Sequence, residues 1–126
     1  MGGLMNKTVL LADDEEFILN LLEISLSRLG MNVIKAADGI EALEQYTAHR
    51  DSIDAVILDM NMPRKNGIEV LHELRSQDAD IPIWLSSGSP DEDFVDGSVR
   101  EMLTGLFHKP FTLKDLEQEL KSRLGG

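Results

Sequence analysis

Asp54-Ala-Val-Ile-Leu-Asp-Met-Asn-Met-Pro-Arg-Lys-Asn-Gly67 is the stretch on which the architecture turns. Ala55 to Leu58 form a continuous apolar, β-favouring run, the pattern of a strand buried on both faces, and Asn61, Pro63, Asn66 and Gly67 end it abruptly. Asp59 is thereby pushed out of the carboxyl end of an apolar strand. In an open α/β sheet that edge is where ligands bind, because the strands stop there and helix N-termini begin. A carboxylate at this place can equally cap the turn that follows it, and the stretch alone does not choose between the two roles.

The same pattern appears upstream. Thr8 to Ala12 read as a second buried strand, followed at once by Asp13-Asp14-Glu15-Glu16, so two strands deliver carboxylates to one edge. The spacing then predicts a helix from about Glu15 to Leu29, with Ile18, Leu22, Leu26 and Leu29 on one face, Phe17 and Leu21 widening it, and Gly30 as its stop. Val33 to Ala36 make a short strand, and Asp38 with Glu41 reads as a capping box for a helix reaching about His49. Asn66 and Glu69 repeat that device ahead of a third helix, with Ile68, Leu71 and Leu74 turned inward.

Pro82 opens a fourth strand, Ile83 to Ser86, with Trp84 as a core residue, and Ser87-Gly88-Ser89-Pro90 break it at the same edge. A fourth helix is expected near Asp93 to Leu103 on the spacing Val95, Val99, Met102. It is the weakest in the chain, because Asp96, Gly97 and Ser98 fall within it and a helical glycine costs about 1 kcal/mol against alanine. Leu106 to His108 make a fifth strand, Lys109-Pro110 end it, and Thr112 starts a last helix carrying Leu113, Leu116, Leu120 and Leu124. Such βα units, with right-handed crossovers, imply a doubly wound α/β fold: a parallel five-stranded sheet with helices on both faces.

At 126 residues the chain is read as one domain, 1–126, with an ordered core over about 6–124. Residues 1–5 and 125–126 could be additions made in cloning and are given no function. The absence of cysteine excludes disulfides and thiolate metal sites and suits the cytoplasm. Twenty-three acidic against twelve basic residues give a net charge of −11, which argues against direct binding to nucleic acid or to anionic lipid. No apolar run approaches the roughly 20 residues of a membrane span, and no signal peptide is evident.

Asp13, Asp14 and Asp59 should converge where two adjacent strands end, and three such carboxylates repel one another unless a cation joins them. An all-oxygen ligand set of this density suits Mg²⁺ or Ca²⁺ over zinc. The acidic run can also serve only to complement the dipole of the first helix. Ser87 and Lys109 bring a hydroxyl and an ammonium to the same edge, where with a metal they could neutralise the three oxygens of a phosphoryl group. A carboxylate nucleophile, metal, hydroxyl and lysine together make an aspartyl-phosphate site.

Over nearly its whole length the chain resembles the receiver domains of bacterial two-component response regulators, with chemotaxis-regulator-like organisation. The resemblance is carried by Asp13-Asp14, Asp59-Met60-Asn61-Met62-Pro63 with Asn66-Gly67, Ser87-Gly88, and Lys109-Pro110-Phe111. It implies a flavodoxin-like (βα)5 sheet of strand order 2-1-3-4-5. It further implies that Asp59 is the phosphoacceptor from a histidine kinase or histidine phosphotransfer protein. Mg²⁺, or Mn²⁺, would be bound by Asp14, Asp59 and the backbone carbonyl of Asn61, and by Asp13 through water. Ser87 and Lys109 would hold phosphoryl oxygens, the Lys109-Pro110 bond would be cis, and the signal would leave through the fourth helix, fifth strand and fifth helix to an output domain or protein. Each of Ser87 and Lys109 is expected to meet charge only when the phosphoryl is present.

Two departures stand out. Ser87-Gly88 replaces the more usual Thr-Ala, and Leu106 occupies the place of the family's switching aromatic, with Phe107 turned to the opposite face by strand alternation. The switch positions are thus Ser87 and Leu106, without an aromatic rotor. Rival readings are a phosphorylation-independent scaffold of the same fold and a phosphohydrolase with an aspartyl intermediate, which would need a cap or specificity insert. An FMN carrier would need a phosphate cradle where this chain is acidic. His72-Glu73-Leu74-Arg75-Ser76 superficially resembles a kinase phosphoacceptor segment, but no ATP-binding glycine motif accompanies it. His49 and His108 read as isolated surface and strand positions, and Met60 and Met62 as packing near the site.

Overall fold

The computed structural model describes residues 3–88 and 96–125. Within them the elements alternate as β1 (Thr8–Ala12), α1 (Glu16–Arg28), β2 (Asn32–Ala36), α2 (Gly39–His49), β3 (Ala55–Asp59), α3 (Gly67–Gln77), β4 (Ile83–Ser87), α4 (Gly97–Met102), β5 (Gly105–His108) and α5 (Leu113–Leu124). The strands form one sheet in the order β2-β1-β3-β4-β5, and every neighbouring pair is parallel. This is the doubly wound arrangement expected from the sequence.

The three central strands are buried at every residue, which is why they read as unbroken apolar runs. Alternation sorts the side chains of these strands and of β5 into two cores. Leu10, Val56, Leu58, Ile83 and Leu85 meet Tyr46, Leu71, Leu74 and Val99 on one side. Val9, Leu11, Ile57, Trp84 and Phe107 meet Leu19, Leu22, Leu26, Leu116 and Leu120 on the other. Trp84 is fully buried and donates its indole N–H to Glu119 Oε1 at 3.1 Å.

Four local expectations change. On α1 the buried face is Leu19, Leu22 and Leu26, whereas Phe17 is 76% and Leu21 41% exposed. At 100° per residue those two fall on the far side of the helix from Leu22 and Leu26, so the apolar face is narrower than composition suggests. The core also begins earlier than expected: Leu4 is 2% exposed and belongs to the core that contains Val9 and Leu26. Asp38 caps α2 by accepting from Glu41 N, but Glu41 Oε1 turns back to Ala37 N, one residue short of a full box. The Asn66–Glu69 box is complete, and Thr112–Asp115 makes a second.

The fourth change concerns α4. Asp96 is its N-cap, accepting from Val99 N at 3.0 Å, so Asp96-Gly97-Ser98 start the helix instead of weakening its middle. The expected Asp93 start, the contact of Val95 and the Ser89-Pro90 break lie outside the described residues. Among the described residues, no helix is long and apolar enough to cross a membrane.

Candidate functional site

The site is assembled at the carboxyl edge by β1, β3, β4 and β5. Ala12 pairs with Leu58 in register, which sets the next residues, Asp13 and Asp59, side by side at the ends of their strands. Asp13 is tied down further: its Oδ1 accepts from Glu15 N at 2.9 Å, at the start of α1, and its own N–H donates to Ala36 O. One oxygen from each of Asp13, Asp14 and Asp59 lies within 4.8 Å of the others, with Asp13 and Asp59 buried and Asp14 exposed. Gly67 closes the turn after β3. Its N–H donates to Met60 O at 2.9 Å, and a Cβ there would come within 2.5 Å of Asp59 O, so no larger residue fits this close approach.

Lys109 arrives from the end of β5. Its backbone N–H donates to Ser87 O at 2.7 Å, and its Nζ donates to Asp13 Oδ2 at 3.1 Å and to Asp59 Oδ1 at 3.3 Å. The Lys109-Pro110 bond is cis. The expectation that Lys109 meets charge only beside a phosphoryl group is therefore corrected, because two buried carboxylates without a counter-charge would be unfavourable and the ammonium supplies one.

Burial, followed by the neighbouring Asp13 charge, pushes the Asp59 carboxyl up to about 6, with Lys109 opposing the rise. Burial works to lower the Lys109 ammonium, but Asp59 and Asp13 outweigh it and hold it above its ordinary value. A set of crowded carboxylate oxygens facing the open end of the sheet fits a hard divalent cation such as Mg²⁺.

Ser87 is the last residue of β4 and 1% exposed, and Asn61 stands exposed two residues after Asp59. Leu106 pairs with Leu85 and packs on the core that contains Val99 of α4, whereas Phe107 faces the other way, stacked near Trp84. Met60 and Met62 are buried beside this edge. Two residues escaped the sequence reading. Ser86 shares register with Asp59, a cross-strand relation that no local pattern in the sequence announces. Arg75, set aside within a kinase-like segment, donates to Met102 O, Asp78 O and Ile81 O at 2.8, 3.2 and 2.7 Å, joining α3 to the end of α4.

Residues 9–121 match the sequence model of the response regulator receiver domain. The chain is 37% identical over 121 residues to PhoP, the alkaline phosphatase synthesis transcriptional regulatory protein of Bacillus subtilis, covering 95% of this chain and 49% of that protein. It is 37% identical over 123 residues to the transcriptional regulatory protein PrrA of Mycobacterium tuberculosis, covering 97% and 52% respectively. The chain thus spans about half the length of these relatives. Among solved structures it resembles a response regulator receiver domain from Clostridium thermocellum, with a TM-score of 0.86 and 29% identity over 94% of both chains. It also resembles the response regulator TrrA of Thermotoga maritima in complex with Mg²⁺-BeF, with a TM-score of 0.82 and 29% identity over 92% of this chain and 97% of that one.

Proposed function

Because the chain belongs to the response regulator receiver domain family of two-component systems, we propose that it accepts a phosphoryl group on Asp59 from a phosphohistidine donor, a histidine kinase or a histidine phosphotransfer protein. The observation that carries this reading is the convergence of Asp13, Asp14 and Asp59 within 4.8 Å, with Lys109 bridging two of them. Asp59 attacks the phosphorus, an acyl phosphate bond forms, and the donor's P–N bond breaks with its electron pair returning to the imidazole. Asp14, Asp59 and the Asn61 carbonyl, with Asp13 through water, would hold a divalent ion, Mg²⁺ or Mn²⁺, which would neutralise charge on the phosphoryl oxygens. Lys109 transfers part of its contact from Asp59 to a phosphoryl oxygen, and the Ser87 hydroxyl takes another. The domain assists its own phosphorylation and dephosphorylation but acts as a signalling element and not as a metabolic enzyme.

The readout follows from position. Ser87 ends β4, the strand that precedes α4 in the chain, and Leu106 and Met102 pack on the core that contains Val99 of α4, so a pull on Ser87 biases α4 with no aromatic rotor. The α4, β5 and α5 surface then passes the signal to an output domain or protein in the cytoplasm. Half-length coverage of transcriptional regulators supports an output partner of that kind, and the net charge of −11 argues against direct contact of this domain with nucleic acid or anionic membrane. Intact mass after acetyl phosphate treatment tests the reading: one phosphoryl is gained in Mg²⁺ and none in EDTA.

A further inference from the structure

Among the described residues, Ser86 Oγ is a buried side-chain polar atom with no hydrogen-bond partner. Ser86 is 4% exposed and stands opposite Asp59 in the β3–β4 register. Two residues earlier on the same strands, Ile57 and Trp84 are also partners and both enter the core beneath α1 and α5. Alternation therefore turns Ser86 and Asp59 to that same face. A cavity of about 10 Å³ lies there, lined by Asp13, Asp59, Ser86 and Lys109 together with Leu22 and Phe111. That is just enough room for one water, and although most of the wall is apolar, Asp13, Asp59, Ser86 and Lys109 at its border can supply the two to four partners that a buried water needs. A buried hydroxyl left unpaired would be worse than an alanine in its place.

We propose that Ser86 Oγ and the Asp59 carboxylate share one buried water, and that this contact positions the carboxylate for attack. The inference rests on the reading of Asp59 as phosphoacceptor and adds a positioning residue to it. Lys109 Nζ holds Asp59 from Oδ1 only, and the terminal torsion of an aspartate is broad. A second contact from the core side restricts that torsion and leaves the outward oxygen aimed at the open edge. The water lies on the core side, away from an incoming phosphoryl, whereas hydrolysis of an acyl phosphate needs a water in line on the far side of phosphorus. Ser86 therefore acts on the arrival of the phosphoryl group and not on its hydrolytic loss.

The test compares Ser86→Ala, Ser86→Val and Ser86→Thr with wild type and Asp59→Asn, using acetyl phosphate and Mg²⁺. The Ala and Val variants should phosphorylate about five- to tenfold more slowly, with unchanged hydrolysis rate and Mg²⁺ midpoint, and Thr should restore the rate to within about twofold by keeping the hydroxyl. A high-resolution crystal structure of the wild-type protein should show a water within hydrogen-bond distance of Ser86 Oγ and an Asp59 oxygen. Wild-type rates in both Ala and Val, a Thr variant as slow as Val, or no such water in well-defined density would each overturn the inference while leaving Asp59 in its role. A wild-type protein that takes no phosphoryl, or an Asp59→Asn variant that does, overturns the phosphoacceptor reading and this inference with it.

Discussion

The Lys109 ammonium and the Asp59 carboxylate, 50 residues apart in sequence, meet at 3.3 Å at the end of the sheet. Both side chains are largely shielded, 20% and 8% exposed, so the pair belongs to the fold as well as to the chemistry. Removing the lysine leaves Asp13 and Asp59 facing each other without a counter-charge. Lys109→Met should cost about 1–3 kcal/mol in EDTA, read by urea unfolding, and less in saturating Mg²⁺. An unchanged unfolding midpoint in EDTA would show that the pair carries no stability.

The raised Asp59 carboxyl makes a pH prediction of definite sign. Its folded value of about 6 lies above the ordinary 3.8, so the folded state holds a proton that the unfolded chain has released between those values. Stability in EDTA therefore falls as pH rises from about 4 to about 6, by on the order of 1–3 kcal/mol. Asp59→Asn should remove that slope. Asp78 and Asp96, whose carboxyls are held below the ordinary range by backbone and side-chain hydrogen bonds, act in the opposite sense and in a lower window. Wild-type and Asp59→Asn curves that stay parallel from pH 4 to 6 would contradict the assignment.

Asp14 differs from its two neighbours in being exposed. Its loss should scarcely change the apo protein, because it is the smallest of the influences that raise Asp59. It should matter for the metal. Mg²⁺ at about 100 times its Kd should stabilise the wild type by about 2.7 kcal/mol, and Asp14→Ala should lose most of that gain. Calorimetry giving the same Mg²⁺ shift in both proteins would take Asp14 out of the metal site.

The signal-bearing role of α4 can be tested by amide exchange. The helix has six residues, with Val99 its buried one, and it is joined to α3 through Arg75 and Met102 O. Residues 96–103 should exchange faster than α1 in the apo protein and slow on addition of beryllofluoride with Mg²⁺. Arg75→Met should speed their exchange further and cost about 1–3 kcal/mol, since three carbonyls lose a charged donor. Equal protection of α4 and α1 in both states would leave the switch without its movable part.

The fold was legible because runs such as Ala55 to Leu58 are apolar at consecutive positions, which marks central parallel strands, and because Asn66, Gly30 and Pro82 punctuate them. The acidic edge was legible for the same reason: Asp13 and Asp59 follow those strands directly. Phe17 and Leu21 misled because composition makes the whole of α1 look apolar while only the angle around the helix shows which side is covered. Asp96 was misread because a residue that is poor inside a helix is favourable at its cap, and the choice depends on where the helix starts. Arg75 and Ser86 carry no local pattern. The carbonyls that Arg75 meets and the aspartate beside Ser86 are brought to them by chain segments up to 27 residues away.

The central claim, that Asp59 receives the phosphoryl group, is tested most directly by trapping the acyl phosphate where it forms. The protein is treated with acetyl phosphate and Mg²⁺, reduced with borohydride, digested and sequenced by mass spectrometry. Reduction of an aspartyl phosphate yields homoserine, so the account predicts homoserine at position 59 in the wild type and none in Asp59→Asn. Homoserine elsewhere, or a phosphoryl group that survives on Ser87, Ser86 or His72 with Asp59 unmodified, would contradict it.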